Sequence, residues 1–214
     1  MKAAALVLFS ALGSTPPKET RTTIAVVDTG YNSSDKEVNK FLCKGGALDF
    51  TGKGIDDVQA HGNVMARTII KGLNPVMHCL YVIKYIHQIY DKAAYMAALN
   101  YMLVLKPDYL NFSSNGEALI PLEFSVYNRL AKGGTKIFVA AGNNGLDLDF
   151  SCNSYPACFV HLIDIVVAVN TSVTSNKISK GTKGPYCTIV DKKSTCGTSS
   201  TSAILLNETL KGDR

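Results

Sequence analysis

Short apolar runs punctuate the chain, each followed by a polar or glycine-containing turn. Thr23 to Val27 is β-branched and ends on Asp28, Thr29 and Gly30, which predicts a buried strand entering a turn. Leu80 to Ile86 predicts a second strand. Lys92 to Leu105 carries Ala and Leu at helical spacing until Pro107 stops it. Tyr109 to Phe112 reads as a strand, Pro121 to Lys132 as a helix closed by Gly133 and Gly134, and Lys136 to Ala141 as a strong apolar strand. Ile163 to Val169 adds another buried strand, and Ser199 to Leu210 has the length of a closing helix. The alternation predicts an α/β fold: a mostly parallel sheet with helices on both faces, forming three layers. In such sheets ligands gather beyond the carboxyl ends of the strands. Asp28 and Asn143 both stand just past a strand end.

Composition narrows the classes. The chain has 214 residues, 46% hydrophobic and 18% charged, which fits one compact domain, set at 22–214, and neither disorder nor a membrane protein. The net charge of +5 comes from scattered Lys and Arg, with only Lys192 and Lys193 adjacent. No basic patch supports nucleic-acid binding, and no run reaches the ~18 apolar residues of a spanning helix. Met1 and Lys2 precede an apolar stretch from Ala3 to Gly13, so residues 1–14 are expected to be an export signal, and the protein secreted or otherwise extracytoplasmic. The six cysteines form an even set without a CxxC pair, as a disulfide framework does in an oxidising compartment.

Four segments carry candidate chemistry: Ile24-Ala-Val-Val-Asp-Thr-Gly30, His61-Gly-Asn-Val-Met-Ala66, Ala140-Ala-Gly-Asn143 and Gly197-Thr-Ser199. Each is weak alone. Asp28 in a turn, His61 in a loop, Asn143 before Asn144 and Gly145, and Ser199 at a helix start all have plain structural readings. Together and in this order they resemble the subtilisin-like serine peptidases, from about Thr22 to Ala203.

That resemblance implies a serine endopeptidase acting on peptide or protein, with no cofactor. Ser199 would be the nucleophile, His61 its general base and Asp28 the carboxylate that orients the base. Asn143 would donate to the oxyanion beside the Ser199 backbone N–H. Ser199 and His61 would each open a helix, turning free N–H groups and a positive dipole end toward the site. Asn111-Phe-Ser-Ser-Asn-Gly116 resembles the substrate-binding strand, so Ser113, Ser114, Asn115 and Gly116 would pair with extended substrate. Tyr155-Pro156-Ala157 resembles the loop beside the primary specificity pocket. Cys152 and Cys158 flank that loop closely enough to bridge. The pairing of Cys43, Cys79, Cys187 and Cys196 stays open among three alternatives.

The chain also departs from the family pattern. Ser200-Thr-Ser-Ala203 replaces the usual Met, Ala, small residue and Pro. Arg67 stands where Gly is usual and would crowd the helix behind His61. Only fifteen residues follow Ser199, a C-terminally shortened arrangement that raises the expectation of a partner chain over that end, and no span before Asp28 would hold a folding-assisting propeptide. The stretch from His61 to Leu80 is too short for the family's calcium loop, so no metal is expected there.

Two other functions fit some of the residues. One is an inactive protein of this fold that binds peptide or a partner. The other is an aspartic peptidase, read from Val26-Val-Asp-Thr-Gly30 alone, but that chemistry needs two carboxylates sharing a proton and no second such motif exists. Four Asn-X-Ser/Thr sequences, at Asn32, Asn111, Asn170 and Asn207, carry little weight, because the pattern is common by chance and Asn111 should lie in the core.

Overall fold

The computed structural model describes residues 19–170, 178–184, 187–190 and 193–213. The expected export segment, 1–14, lies outside them. The element order is β1 (Thr22–Asp28), α1 (Lys36–Phe41), β2 (Leu42–Asp49), α2 (His61–Ile70), β3 (His78–Lys84), α3 (Lys92–Leu105), β4 (Tyr109–Phe112), α4 (Pro121–Lys132) and β5 (Lys136–Ala140). A 3-10 turn (Ala157–His161), β6 (Val166–Asn170), β7 (Thr182–Gly184), the hairpin β8 (Cys187–Val190) and β9 (Lys193–Cys196), and α5 (Thr198–Gly212) complete it.

Seven strands form one sheet in the order β2-β3-β1-β4-β5-β6-β7, and every pairing in it is parallel. A parallel sheet has both faces covered, which explains why its strands read as continuous apolar runs and not as alternation. The period of two still sorts the side chains. Ala25 and Val27 of β1 face a core shared with Tyr95, Leu99 and Met102 of α3 and Val126 and Leu130 of α4. Ile24 and Val26 face the opposite core, with Val38 of α1, Met65 and Ile69 of α2, and Leu206 of α5. This is the three-layer arrangement the sequence predicts.

Two expected strands shift. Leu80–Ile86 runs instead from His78 to Lys84, and Ile163–Val169 starts at Val166. The apolar Ile163 is spent in the turn after the 3-10 segment, where its N–H bonds the Phe159 carbonyl. Asn111 is fully buried, as expected.

Three disulfides are present. Cys152–Cys158 closes the expected loop, Cys43–Cys79 joins β2 to β3, and Cys187–Cys196 crosses the β8-β9 hairpin at paired positions. Among the described residues no helix is long and apolar enough to cross a membrane.

Candidate active site

The chain leaves β1 for one side of the sheet and then, after β3, fills in the other side from β4 outward. In sheets of this kind ligands bind beyond the carboxyl end of the strand where such a reversal occurs, here β1. Asp28 is the last residue of β1, Ser113 follows β4, and Asn143 lies shortly past β5. Adjacent strands are about 4.8 Å apart, so these three strand ends span about 10 Å.

Asp28 is 1% exposed. Its Oδ1 accepts from the Thr29 backbone N–H at 2.7 Å and the Thr29 hydroxyl at 3.2 Å, and it lies 2.8 Å from His61 Nδ1. That bond fixes the ring and selects the tautomer that leaves Nε2 to act as a base. Burial pulls the His61 pKa down, but the charge and hydrogen bond of Asp28, with Asp57 adding its charge, leave it raised above the ordinary histidine value.

His61 opens α2, but the N–H groups behind it are not free. Gly62 N–H donates to Thr29 Oγ1 at 2.9 Å and Asn63 N–H to Asp57 Oδ2 at 2.9 Å. The expectation of open amides at this helix end is therefore corrected. Ala60 precedes the helix in a left-handed conformation without a side-chain cap, and residues from two other segments do the capping. Arg67, on the same helix, pairs with Asp35, its Nε 3.0 Å from Oδ2.

Ser199 lies in the first turn of α5. Its hydroxyl donates to the Ser113 carbonyl at 2.8 Å, and among the described residues no hydrogen bond joins it to His61. Its backbone N–H likewise has no partner there. Asn143 Oδ1 accepts from the Thr198 N–H at 2.9 Å and lies 3.2 Å from the Thr198 hydroxyl. Anchoring the amide by its oxygen leaves Nδ2 as the outward donor. Gly197, with φ 129°, is needed for this approach, since a Cβ there would sit 3.1 Å from Asn143 Nδ2.

Comparison with solved structures agrees with this architecture. A lanthipeptide protease superposes with a TM-score of 0.71 at 15% identity, over 87% of this chain and 71% of that one. A cold adapted subtilisin-like serine proteinase gives 0.70 at 18%, over 94% and 80%. The nisin leader peptidase NisP from Lactococcus lactis gives 0.71 at 12%, over 92% and 78%. The chain has the subtilisin-like fold. By sequence, no family model and no protein of established function matches it.

Within the subtilisin-like fold the expected substrate strand is only partly open. Gly116 N–H donates to the Tyr155 carbonyl at 2.9 Å and its carbonyl accepts from Tyr155 N–H at 2.8 Å. Gly116 is thus tied to the neighbouring loop and unavailable to a substrate backbone. Asn115 is exposed, Ser114 is half-buried and hydrogen-bonded with Tyr85, and Ser113 is buried with its carbonyl on Ser199.

Several further residues support the site through contacts that a motif does not state. Asn111 Nδ2 donates to Ser113 Oγ, and Ser202 Oγ donates to Asn111 Oδ1, which links the strand end to the helix of Ser199. Asn207 Nδ2 donates to the carbonyls of Ile69 at 2.6 Å and Lys71 at 3.0 Å, so α5 caps the far end of α2. Ser200, Thr201 and Ser202 are fully buried. The departure from Met and Ala here puts hydroxyls in the interior, where those of Ser200 and Ser202 find acceptors in Thr195 O and Asn111. The Asn111–Ser113 bond spans two positions, but Asn111 and Ser202 are 91 apart and Asn207 and Ile69 138 apart, and no local pattern marks these long-range partners.

Proposed function

We propose that the chain is a serine endopeptidase that cleaves peptide bonds through an acyl-enzyme on Ser199. The observation that supports this most is the Asp28–His61 pair, held by a nearly fully buried carboxylate on the strand beside the one whose end receives the Ser199 hydroxyl. A buried carboxylate keeps the imidazole oriented and stabilises its cation once it has taken a proton. Attack requires the Ser199 hydroxyl to leave the Ser113 carbonyl and turn to His61 Nε2, a change of side-chain rotamer. Its proton passes to Nε2 as Oγ bonds the scissile carbonyl carbon, and Nε2 then gives that proton to the leaving amine. The negative oxygen is met by Asn143 Nδ2 and the Ser199 N–H, two donors without other partners among the described residues. Water deacylates the enzyme by the same route. Extended substrate lies along Ser113 to Asn115. Three disulfides support an extracytoplasmic setting.

A fluorophosphonate should label Ser199 covalently, and the rate should follow the neutral fraction of His61. Because the His61 pKa is raised, the acid limb should lie above about 6.5. Equal labelling of Ser199→Ala protein refutes the assignment. A wild type that resists labelling yet retains a folded spectrum and binds peptide supports the competing reading, an inactive member of this fold.

A further inference from the structure

Lys84 has no role in the chemistry above. It ends β3, paired in register with Asp28, and it is 0% exposed. Among the described residues no carboxylate lies within ion-pair distance of its ammonium. Its partners are two carbonyl oxygens of the segment leading to His61: Gly54 O at 2.7 Å and Asp56 O at 2.5 Å. Its charge reaches the exposed Asp56 carboxylate only at longer range. Burying an ammonium without a close counter-ion is costly, whereas an apolar side chain of similar length would fill the space without that cost. The charge is therefore accounted for by what it holds.

The segment it holds is seated tightly. The Ile55 carbonyl accepts from Tyr31 N–H at 3.2 Å, and Asp57 N–H donates to the Tyr31 carbonyl at 3.1 Å. A Cβ on Gly30 would lie 2.2 Å from Ile55 O, so backbone meets backbone there. Asp57 then reaches forward, accepting from Gln59 N–H through Oδ1 and from Asn63 N–H through Oδ2, each at 2.9 Å. A continuous path runs from the Lys84 ammonium through residues 54–57 to the first turn of α2, where His61 stands.

We propose that Lys84 is a positioning residue for His61: its ammonium pins the 54–57 segment so that Asp57 holds the first turn of α2 against Asp28. The activity readout rests on the peptidase reading, whereas the position of His61 does not. The charged groups that face His61 are Asp28 from β1 and Asp57 from the pinned segment. If the segment relaxes, Asp57 draws away, the first turn of α2 is no longer held against Asp28, and the imidazolium loses support.

The test is an NMR titration of the His61 ring together with kcat and KM for a peptide substrate, in wild type, Lys84→Met and Lys84→Arg. Lys84→Met should lower the His61 midpoint by about half a pH unit to one and kcat by about ten- to a hundredfold with little change in KM. Lys84→Arg, which keeps charge and donors, should recover most of both. A folded Lys84→Met protein with wild-type midpoint and kcat overturns the proposal. If Lys84→Met does not fold, Lys84→Gln, which keeps one amide donor, should show intermediate losses, and wild-type values there overturn it. Folding by Lys84→Arg alone assigns Lys84 to stability and also overturns it. Should wild type prove inactive, the midpoint alone decides, so failure of the peptidase reading is distinguishable from failure of this one.

Discussion

Gly62→Ala sets two effects against each other, and the structure decides between them. Gly62 is the second residue of α2 with no left-handed φ, so replacing it by Ala should, on helix propensity alone, stabilise by up to about 1 kcal/mol. The added Cβ, however, would stand 2.3 Å from the Gly30 carbonyl oxygen, 3.0 Å from Gly30 N and 3.1 Å from Asp28 Cβ. Relief to ordinary contact needs about 1 Å of movement. Gly30 cannot supply it, since its own Cβ direction is occupied by Ile55 O at 2.2 Å and its φ is 103°. The helix must withdraw, stretching the 2.9 Å bond from Gly62 N–H to Thr29 Oγ1. Overpacking costs about 1–3 kcal/mol and the lost bond about 1 more. The clash therefore outweighs the propensity gain, and Gly62→Ala should be less stable by about 1–3 kcal/mol. Withdrawing His61 by the same distance would lengthen its 2.8 Å contact with Asp28 beyond hydrogen-bond range, and fluorophosphonate labelling should slow by about a hundredfold. Urea unfolding and the labelling rate measure the two effects separately. A variant that gains stability and labels at the wild-type rate would show that α2 and Gly30 are not in rigid contact.

Two further outcomes follow from the site. Asn143→Ala should lower kcat by about a hundred- to a thousandfold with KM nearly unchanged, since the amide acts on charge present only in the transition state; steady-state kinetics with unaltered kcat would reduce Asn143 to a turn residue. Cys187 and Cys196 are exposed, whereas Cys43, Cys79 and Cys158 are buried, so a mild dithiol should open the hairpin bridge first. Because Cys196 directly precedes Gly197, Ser199 labelling should slow while the far-UV spectrum persists. Alkylation mapping that finds Cys43 and Cys79 opened first, or a labelling rate indifferent to reduction, would contradict this.

The strands at Tyr109–Phe112 and Lys136–Ala140 and the helices at Lys92–Leu105 and Pro121–Lys132 were legible in the order of residues because their signals are local. Apolar runs, helical spacing, Pro121 at a helix start and paired glycines at its end each act within a few positions. The three or four residues of β7, β8 and β9 are too short to carry such a run, β7 and β9 being polar and β8 holding only Ile189 and Val190 beside Cys187 and Thr188, and residue order marks none of them; a parallel neighbour or a disulfide stabilises them. Asp28, His61, Asn143 and Ser199 could be singled out because each sits in a short motif. What only the tertiary structure decided was how those residues are held and which groups remain open. The α2 amides are spent on Thr29 and Asp57, Gly116 is committed to Tyr155, the Ser199 hydroxyl rests on Ser113, and Lys84 carries its charge into the interior for two loop carbonyls. Every one of these contacts but the last few joins segments brought together solely by the crossing of strands and helices, and even Lys84 reaches back about thirty positions to Gly54. A hydrogen bond depends on distances of tenths of an ångström between groups far apart in the chain, and residue order sets no such distance until the sheet has formed.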